Sequence, residues 1–420
     1  MNSEALRSPR EGPASSPGEP RASQPGEPLR RSTGTAGQPA ARQGESGGSG
    51  ATAVDIVCPR LDPADAVGTH ARLLHRTLAA HGYRSRLWAS SIHDDLRAEA
   101  SPVEGLFRCH TRSAAVVYQF ASSCPLAARL ARLDNLIVDY HGLTPPELLR
   151  PWHPHAATDV SIARSDLAVL AAGATAAMAD SRFIEADLRA AGARTTAVTP
   201  LLMEPSLWTL GAESRSSRPS SGRAGGARLL SVGRIASSKA VEDLVAMLAA
   251  YRAVYDPSAR LTVIGRPVDG PYANALRAMA YDLGVSSAVH FAGRVSTEEL
   301  SRYYAEADVL VSASRHEGYS ATLVEAMVHG LPVVARRSGA VAETVGAAAV
   351  LLSDSSPFRM AAAVRRAVVD DLFRSRLRSA GERRAQQLSP QQAGKAVVAA
   401  LAQWIGPPGS APEDDGWGLR

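Results

Sequence analysis

The chain has few of the features that mark secreted, membrane-spanning or nucleic-acid-binding proteins. Its three cysteines, Cys58, Cys109 and Cys124, form no C-x-x-C pair, so neither a disulfide framework nor a cysteine-based metal site is expected. No apolar run approaches the roughly 20 residues that a membrane-spanning helix needs. The first residues also lack the basic-then-apolar order of a secretory leader. These absences predict a cytoplasmic location.

The charge is close to balanced, with 46 Lys and Arg against 41 Asp and Glu and a net charge of +5. Aromatic residues make up only 5% of the chain, and no dense basic block is interleaved with them. A nucleic-acid partner is therefore not predicted, whereas an anionic small substrate suits the scattered excess of arginine. A hydrophobic content of 45% is ordinary for a globular protein, and 420 residues suggest two domains.

Three segments are rich in Gly, Pro, Ser and charged residues and poor in large apolar ones. Within residues 1–50, the large aliphatic side chains are Leu6 and Leu29, apart from Met1. Such a segment cannot bury enough apolar surface to offset the entropy that ordering removes. The composition predicts a disordered tail over 1–50, a linker over 211–227 and a flexible tail over 407–420.

Between these segments, short β-branched apolar runs alternate with longer amphipathic runs. The apolar runs include V-D-I-V-C-P, A-A-V-V-Y-Q-F and N-L-I-V-D-Y-H in the first half, and R-L-L-S-V-G-R, R-L-T-V-I-G-R and A-D-V-L-V-S-A in the second. This alternation is typical of right-handed β-α-β units with a buried parallel sheet. The sequence predicts an α/β protein with two Rossmann-like domains, 51–210 and 228–386, and a terminal helix over 387–406 that could dock across them.

Three strands predicted for the second domain end in the same dipeptide. These are Gly233-Arg234, Gly265-Arg266 and Gly293-Arg294, and Lys239 follows the first of them. In a doubly wound domain, ligands bind beyond the carboxyl ends of the strands. Glycine there allows close backbone approach, and arginine meets phosphate with two hydrogen bonds. Arg234 and Lys239 are therefore candidate phosphate-binding residues, whereas chance in an arginine-rich chain is the favoured explanation of Gly265-Arg266.

The stretch S-R-H-E-G-Y-S-A-T-L-V-E-A-M, residues 314–327, carries two carboxylates, Glu317 and Glu325. Gly318, Tyr319 and Ser320 are predicted to form the turn that opens a helix, and a helix N-terminus is a ready site for phosphate. Glu325 lies two turns into that helix among apolar neighbours, so its carboxylate needs hydrogen-bond donors. A vicinal diol such as a ribose would supply them, and so would a structural arginine.

The order of these elements resembles one family. S-V-G-R-(x4)-K, then A-D-V-L-V-S-A-S-R-H-E-G-Y-(x5)-V-E-A-M-(x2)-G-L-P-V-V-A, is similar to the retaining nucleotide-sugar glycosyltransferases of family 4, group 1 type. The E-x(7)-E motif of that family is matched by Glu317 and Glu325, and its GR…K pair by Arg234 and Lys239. The S-G-A-V-A-E segment that ends at Glu343 also follows the family's pattern.

The resemblance implies a GT-B fold, in which two Rossmann-like domains with parallel sheets face a central cleft, and transfer with net retention at the anomeric carbon. It implies that Arg234 and Lys239 neutralise the leaving diphosphate, with no metal and no cofactor beyond the nucleotide-sugar substrate. It further implies that Glu325 holds the ribose and that Glu317 positions the donor sugar rather than acting as a covalent nucleophile. The donor site would be completed by Gly68, Gly233, Gly318, Tyr319 and Ser320.

The first domain resembles the acceptor-binding half of the family more loosely. In D-A-V-G-T-H, Gly68 matches a glycine loop that approaches the donor phosphates, and Y-H-G-L-T-P-P places His141 at the end of a strand. His141 could contact the acceptor or the donor sugar, or it could be a structural hydrogen bonder. The chain departs from the family's pattern at Gln119, Gly142 and Ile184, where His, Asn and Asn are usual.

The predicted function is transfer of a hexose from a UDP- or GDP-sugar to a carbohydrate or small-molecule acceptor, such as a glycan precursor, a lipid-linked sugar or a metabolite. A peripheral membrane contact is compatible with this function, and the oligomeric state is not predicted. Two alternatives stay open: a sugar-nucleotide epimerase on the same fold, and a catalytically weak partner subunit of another glycosyltransferase. By spacing alone, the two carboxylates would also fit a glycoside hydrolase.

Overall fold

The computed structural model describes residues 52–63, 65–217, 225–266, 270–354 and 356–408. The tail predicted for 1–50 lies outside these residues. So do 409–420 of the predicted C-terminal tail and 218–224 of the predicted linker.

The first sheet has seven parallel strands in the order β3-β2-β1-β4-β5-β6-β7. Its strands are β1 Ala53–Leu61, β2 Arg84–Ile92, β3 Ser101–Pro102, β4 Ala115–Phe120, β5 Leu136–Tyr140, β6 Ala176–Ala179 and β7 Thr196–Val198. The helices of this half are α1 Ala66–Ala80, α2 Leu106–Cys109, α3 Ala127–Leu130, α4 Pro146–Leu149, α5 Pro154–Gly173 and α6 Arg182–Ala190. Every residue of β4 and β5 is buried, because helices cover both faces of a parallel sheet.

The second sheet has six parallel strands in the order β10-β9-β8-β11-β12-β13. Its strands are β8 Arg228–Val232, β9 Arg260–Ile264, β10 Val289–Gly293, β11 Val309–Ser312, β12 Val333–Arg336 and β13 Ala349–Leu352. Its helices are α8 Val241–Val254, α9 Pro271–Asp282, α10 Thr297–Glu306, α11 Ala321–Val328, α12 Val341–Val345, α13 Pro357–Val369 and α14 Asp371–Gln387. The order reverses between β8 and β11, which creates the crevice where such folds bind ligands.

Two helices join the halves. α7, Ser206–Ser217, extends into the segment that composition predicts as a linker, so residues 211–217 are helical instead. Tertiary packing explains the difference, because Leu207 lies in the apolar core of the second sheet and Gly211 packs against Val328 of α11. The final helix, α15 Pro390–Ile405, leaves the second domain and packs Val397 and Leu401 into the core of the first.

Local signals set the ends of several helices. α10 begins with the reciprocal capping box of Ser296 and Glu299 that the S-x-x-E spacing predicts. α1 is followed by Gly82, whose φ of 85° only glycine adopts readily. Among the described residues, no helix is long and apolar enough to cross a membrane.

Candidate functional site

An ion pair lies at the carboxyl edge of the second sheet, where the strand order reverses. β8 is followed by a single 3-10 turn, Ser237–Lys239, and its neighbour β11 by the loop that carries Glu317. The Nζ atom of Lys239 lies 2.7 Å from Oε1 of Glu317. The Lys239 side chain is 28% exposed and that of Glu317 is 9% exposed. The pair is therefore shielded from most of the solvent and still reachable by a ligand.

Two residues beside this ion pair hold unusual backbone conformations. Ala240, directly after Lys239, has a φ of 50°, and Ser320, shortly after Glu317, has a φ of 72°. Within the described part of the chain, these are the only non-glycine residues with positive φ. Left-handed backbone costs an L-residue roughly 1–2 kcal/mol and persists only where the surrounding structure imposes it. The strain therefore marks the two loops that hold the pair.

The turn after β8 depends on glycine. Gly233 has a φ of 144°, and a Cβ at Gly265 would lie only 1.9 Å from the carbonyl oxygen of Gly233. The two strand ends therefore touch through their backbones. Arg234 follows with an exposed side chain, and burial together with the charge of Arg234 lowers the pKa of His153 in the first domain. The Arg234 guanidinium thus lies near the boundary between the domains.

The turn at 318–320 is packed between the two domains. A Cβ at Gly318 would lie 3.0 Å from the carbonyl oxygen of His141, so the approach of the two chains favours glycine. Tyr319 is only 5% exposed, and its ring belongs to the apolar core of the second domain. The predicted donor-binding role of Tyr319 stays a prediction, and because the ring is buried, the Tyr319 backbone is the part that a ligand could reach. Ser320 is buried as well and precedes α11.

Glu325 lies on α11 and is partly buried. The hydroxyl of Tyr304, on α10, donates to Oε2 of Glu325 over 2.7 Å. Burial raises the pKa of the Glu325 carboxyl, and the hydrogen bond from Tyr304 acts against this shift. Burial, and then the charge of Glu325, raise the pKa of Tyr304 well above its ordinary value, so this hydroxyl keeps its proton. With Oε2 occupied by Tyr304, Oε1 is the oxygen that Glu325 can offer to a ligand.

The carboxyl edges of the two sheets face each other. Ser181, which follows β6, donates its hydroxyl to the carbonyl oxygen of Gly318 over 2.6 Å. At the other loop, the Ser237 hydroxyl donates to the carbonyl oxygen of Leu148 over 2.6 Å. First-domain residues therefore contact both loops that carry the ion pair. The predicted arrangement of two Rossmann-like domains around a cleft is confirmed.

His141 follows β5 and is held by a buried hydrogen-bond network. Its Nδ1 lies 3.0 Å from Oδ2 of Asp180, and its Nε2 lies 2.8 Å from Oε1 of Gln119. The Gln119 amide nitrogen donates to Asp139 over 3.1 Å, which turns the amide oxygen toward His141. Both ring nitrogens therefore donate, as in an imidazolium. Burial lowers the pKa of His141, but the carboxylates of Asp180 and Asp139 outweigh it and raise the pKa to about 9.

Three side chains of this network, His70, Asp139 and His141, lie close enough together to surround a metal ion. The backbone N–H of Leu202 donates to Nδ1 of His70 over 2.9 Å, so the His70 proton lies on Nε2, which bonds Asp139 over 3.0 Å. His141 carries protons on both nitrogens. Neither ring offers a free lone pair to a metal, and the cluster fits a hydrogen-bond network instead. Because both of its nitrogens bond protein groups, His141 fits the structural interpretation better than direct sugar contact through its ring.

Stability should fall as pH rises through the range set by His141. The pKa of His141 is raised from 6.5 to about 9 in the folded chain. The folded state binds this proton more tightly than the unfolded state does. The stabilising contribution is therefore complete below pH 6.5 and is lost as pH rises to about 9. The loss is on the order of 3 kcal/mol. Denaturant unfolding between pH 6 and pH 10 measures it.

The control for this prediction is His141→Gln, which keeps an amide donor toward Asp180 but does not titrate. The difference between the two stability curves cancels the buried thiols and tyrosines that titrate in both proteins. Parallel curves for the variant and the wild type would contradict the assignment.

Gly68 lies in the first turn of α1 and is buried. Its N–H donates to Oδ2 of Asp65 over 3.0 Å, and a Cβ here would lie 3.3 Å from the carbonyl oxygen of Arg60. The glycine therefore lets α1 pack closely against the end of β1. Its predicted approach to the donor phosphates stays a prediction.

Residues 214–384 match the family described as glycosyl transferases group 1. Residues 214–384 therefore carry the sequence pattern of a group 1 glycosyltransferase domain. The two described domains have the GT-B fold, since the chain superposes on sucrose-phosphate synthase from Thermosynechococcus elongatus with a TM-score of 0.65 at 20% identity, covering 84% of this chain and 98% of that one. The chain also superposes on a structure of Anabaena HepE with UDP-glucose, with a TM-score of 0.64 at 16% identity, covering 84% of this chain and 100% of that one.

Proteins related in sequence match only part of this chain. A GDP-mannose-dependent alpha-(1-6)-phosphatidylinositol monomannoside mannosyltransferase of Mycobacterium tuberculosis is 34% identical over 146 residues, which are 33% of this chain and 37% of that protein. A D-inositol 3-phosphate glycosyltransferase of Frankia alni is 34% identical over 157 residues, or 36% and 38%. Sulfoquinovosyl transferase SQD2 of Arabidopsis thaliana is 34% identical over 176 residues, or 39% and 31%. The chain thus spans less than two fifths of the length of these relatives.

Sequence reasoning missed the residues that support the predicted ones. Tyr304 holds Glu325, and Asp139 and Asp180 set the charge of His141. Asp139 had a local signal, because an acid inside the apolar run N-L-I-V-D-Y-H must be buried and must find donors. Tyr304 and Asp180 had none, since their partners come from other elements of the fold.

Proposed function

We propose that this protein is a retaining glycosyltransferase that moves a hexose from a UDP- or GDP-sugar to a carbohydrate or small-molecule acceptor. The observation that carries the proposal is the 2.7 Å ion pair of Lys239 and Glu317 at the switch point of the group 1 domain. A cation and a carboxylate in contact at this crevice suit a ligand that has a diphosphate at one end and sugar hydroxyls at the other.

Donor binding would exchange the partners of this ion pair. The Lys239 ammonium would turn from Glu317 to a phosphate oxygen, and the exposed Arg234 would meet the diphosphate as a second cation. Glu317, released from Lys239, would accept hydrogen bonds from hydroxyls of the sugar. As the bond between the anomeric carbon and the phosphate oxygen breaks, negative charge grows on the leaving diphosphate, and positioned cations stabilise it. The acceptor hydroxyl oxygen forms the new bond to the same face of that carbon, and its proton passes to an oxygen of the leaving diphosphate.

The nucleoside end of the donor would meet Glu325. Tyr304 fixes the carboxylate through Oε2, and a ribose diol would bond the remaining oxygen. The relatives support a nucleotide-sugar donor but differ in the sugar and acceptor that their names give, from mannose on a phosphatidylinositol mannoside to an inositol phosphate. The proposal therefore leaves the acceptor open among lipid-linked, glycan and small-molecule hydroxyls.

A panel of UDP-, GDP- and dTDP-sugars, each tested by thermal unfolding and by product formation, is the experiment that decides. The cognate donor at 100 times its Kd should stabilise the protein by about 2.7 kcal/mol. Because Arg234 and Lys239 supply the positive charge, EDTA should change neither the shift nor the turnover. Lys239→Ala, as the control, should lose most of the shift. Absence of stabilisation and of product with every donor would contradict the proposed function, and activity that requires Mg²⁺ would contradict its metal independence.

A further inference from the structure

One carboxylate of the second domain binds the start of a first-domain helix. Glu343 lies on α12, and its Oε1 accepts the backbone N–H of Arg182 over 2.9 Å. Its Oε2 accepts the N–H of Phe183 over 3.3 Å. Arg182 and Phe183 are the first two residues of α6, whose N–H groups have no partner within their own helix. A negative charge at this end of a helix is also favourable to the helix dipole.

Within the first domain, a side chain caps the following N–H group of α6, that of Ile184. Ser181 is the N-cap, and its hydroxyl oxygen accepts the N–H of Ile184. The same hydroxyl donates to the carbonyl oxygen of Gly318 in the second domain. The first turn of α6 is therefore completed by groups from the other domain, and separating the domains would return those groups to water.

α12 also supports the loop that carries the candidate site. The N–H of Ala340, which precedes α12, donates to the carbonyl oxygen of Glu317 over 2.8 Å. The Thr344 hydroxyl, next to Glu343, donates to the carbonyl oxygen of Tyr319. A Cβ at Gly339 would lie 2.3 Å from the carbonyl oxygen of Glu317, so this segment packs directly on the loop backbone. Glu343 is thus joined through its own helix to the residues on both sides of Gly318.

We propose that Glu343 is a positioning residue that aligns the two domains around the loop of Glu317. Its carboxylate ties α6 to α12, and α12 in turn fixes the Glu317 backbone, so the first domain is held in register with the ion pair. Asp180, the partner of His141, directly precedes the N-cap Ser181. The contact therefore relates the His141 network of one domain to Glu317 of the other. The inference rests on the proposed function for its kinetic consequence but not for its structural one.

The test compares Glu343→Ala with Glu299→Ala in the full chain. Glu299 is the matched control, because its carboxylate also binds the start of a helix, accepting the N–H of Ser296 over 3.0 Å, but within the second domain alone. Glu343→Ala should lower kcat by about 10- to 100-fold, as misalignment of reacting groups does, with little change in donor affinity. Glu343→Gln keeps one acceptor oxygen and should fall between Glu343→Ala and the wild type. Glu299→Ala should leave kcat unchanged.

Hydrogen exchange supplies a readout that does not need activity. Glu343→Ala should speed exchange at Arg182 and Phe183, and also at the backbone amides of α4 and of the turn Ser237–Lys239, which meet at the separate contact of Leu148 and Ser237 and where a purely local cap would have no effect. Acceleration confined to α6, with kcat at the wild-type value, would overturn the inference. If the wild type transfers no sugar from any donor, the proposed function fails, and exchange at Leu148 and Ser237 alone decides the alignment role.

Discussion

Lys239→Ala is expected to lower kcat for sugar transfer by about 10²–10³-fold, the range found when one preorganised group that stabilises transition-state charge is removed. The physical reason is the loss of a cation that lies 2.7 Å from Glu317 and that is proposed to stabilise the leaving diphosphate. Stability should fall by about 1–3 kcal/mol, because the substitution leaves the mostly shielded Glu317 carboxylate without its cation. Steady-state kinetics with the cognate donor and denaturant unfolding measure the two effects.

The chain offers a matched control for this substitution. Its only other lysine, Lys395, is exposed on α15. Lys395→Ala therefore removes an ammonium group that is not part of the candidate site, and it should leave kcat unchanged. Lys239→Arg retains the charge and should recover part of the activity. Equal kcat values for Lys239→Ala and the wild type would refute the role of Lys239, whereas unfolding of Lys239→Ala would show a structural one.

Glu325→Ala is expected to reduce kcat/KM for the donor by about 100-fold or more, through a higher KM. Loss of the carboxylate removes the two hydrogen bonds proposed to the ribose diol, and hydrogen bonds to a charged group contribute about 1.5–3 kcal/mol each. The substitution also removes the nearer acceptor of the buried Tyr304 hydroxyl and leaves it the carbonyl oxygen of Thr322 at 3.3 Å. Donor titrations of kcat and KM, with circular dichroism to verify the fold, test this expectation.

Two further variants separate binding from folding at this site. Glu325→Gln keeps an oxygen for the Tyr304 hydroxyl and should fold normally while losing the charge-assisted bond to ribose. Tyr304→Phe removes only the hydroxyl that orients Glu325 and should raise the donor KM less than Glu325→Ala does. If Tyr304→Phe raised KM as much as Glu325→Ala, the orientation of Glu325 would outweigh its direct contact.

The alternation of apolar and amphipathic runs was sufficient to predict two parallel α/β domains, because strands buried on both faces are continuous apolar runs. β2 was not predicted, since it begins with Arg84, Ser85 and Arg86 and shows no such run. Its polar start is stabilised by a distant partner, for the Arg86 Nε donates to Oδ1 of Asp55 over 2.8 Å. Composition likewise predicts a linker over residues 211–217, because their helix depends on packing against α11, which local sequence does not show.

Lys239, Glu317 and Glu325 could be predicted because they fall at fixed spacings after strands, where local sequence reports the motif. The groups that hold them in place could not, because Tyr304 and Glu343 act on residues of other elements. The burial of the Tyr319 ring could not be predicted either, because it depends on the packed core of the second domain.

The left-handed backbone at Ala240 and Ser320 has a consequence for anyone who engineers this chain for heat resistance. Glycine at either position would relieve roughly 1 kcal/mol of strain, so a screen for stability alone would favour it. Glycine would also give the loops of Lys239 and Glu317 more conformations, which works against a preorganised site. Thermostabilising substitutions are therefore better placed outside these two loops, for example on the exposed face of α13.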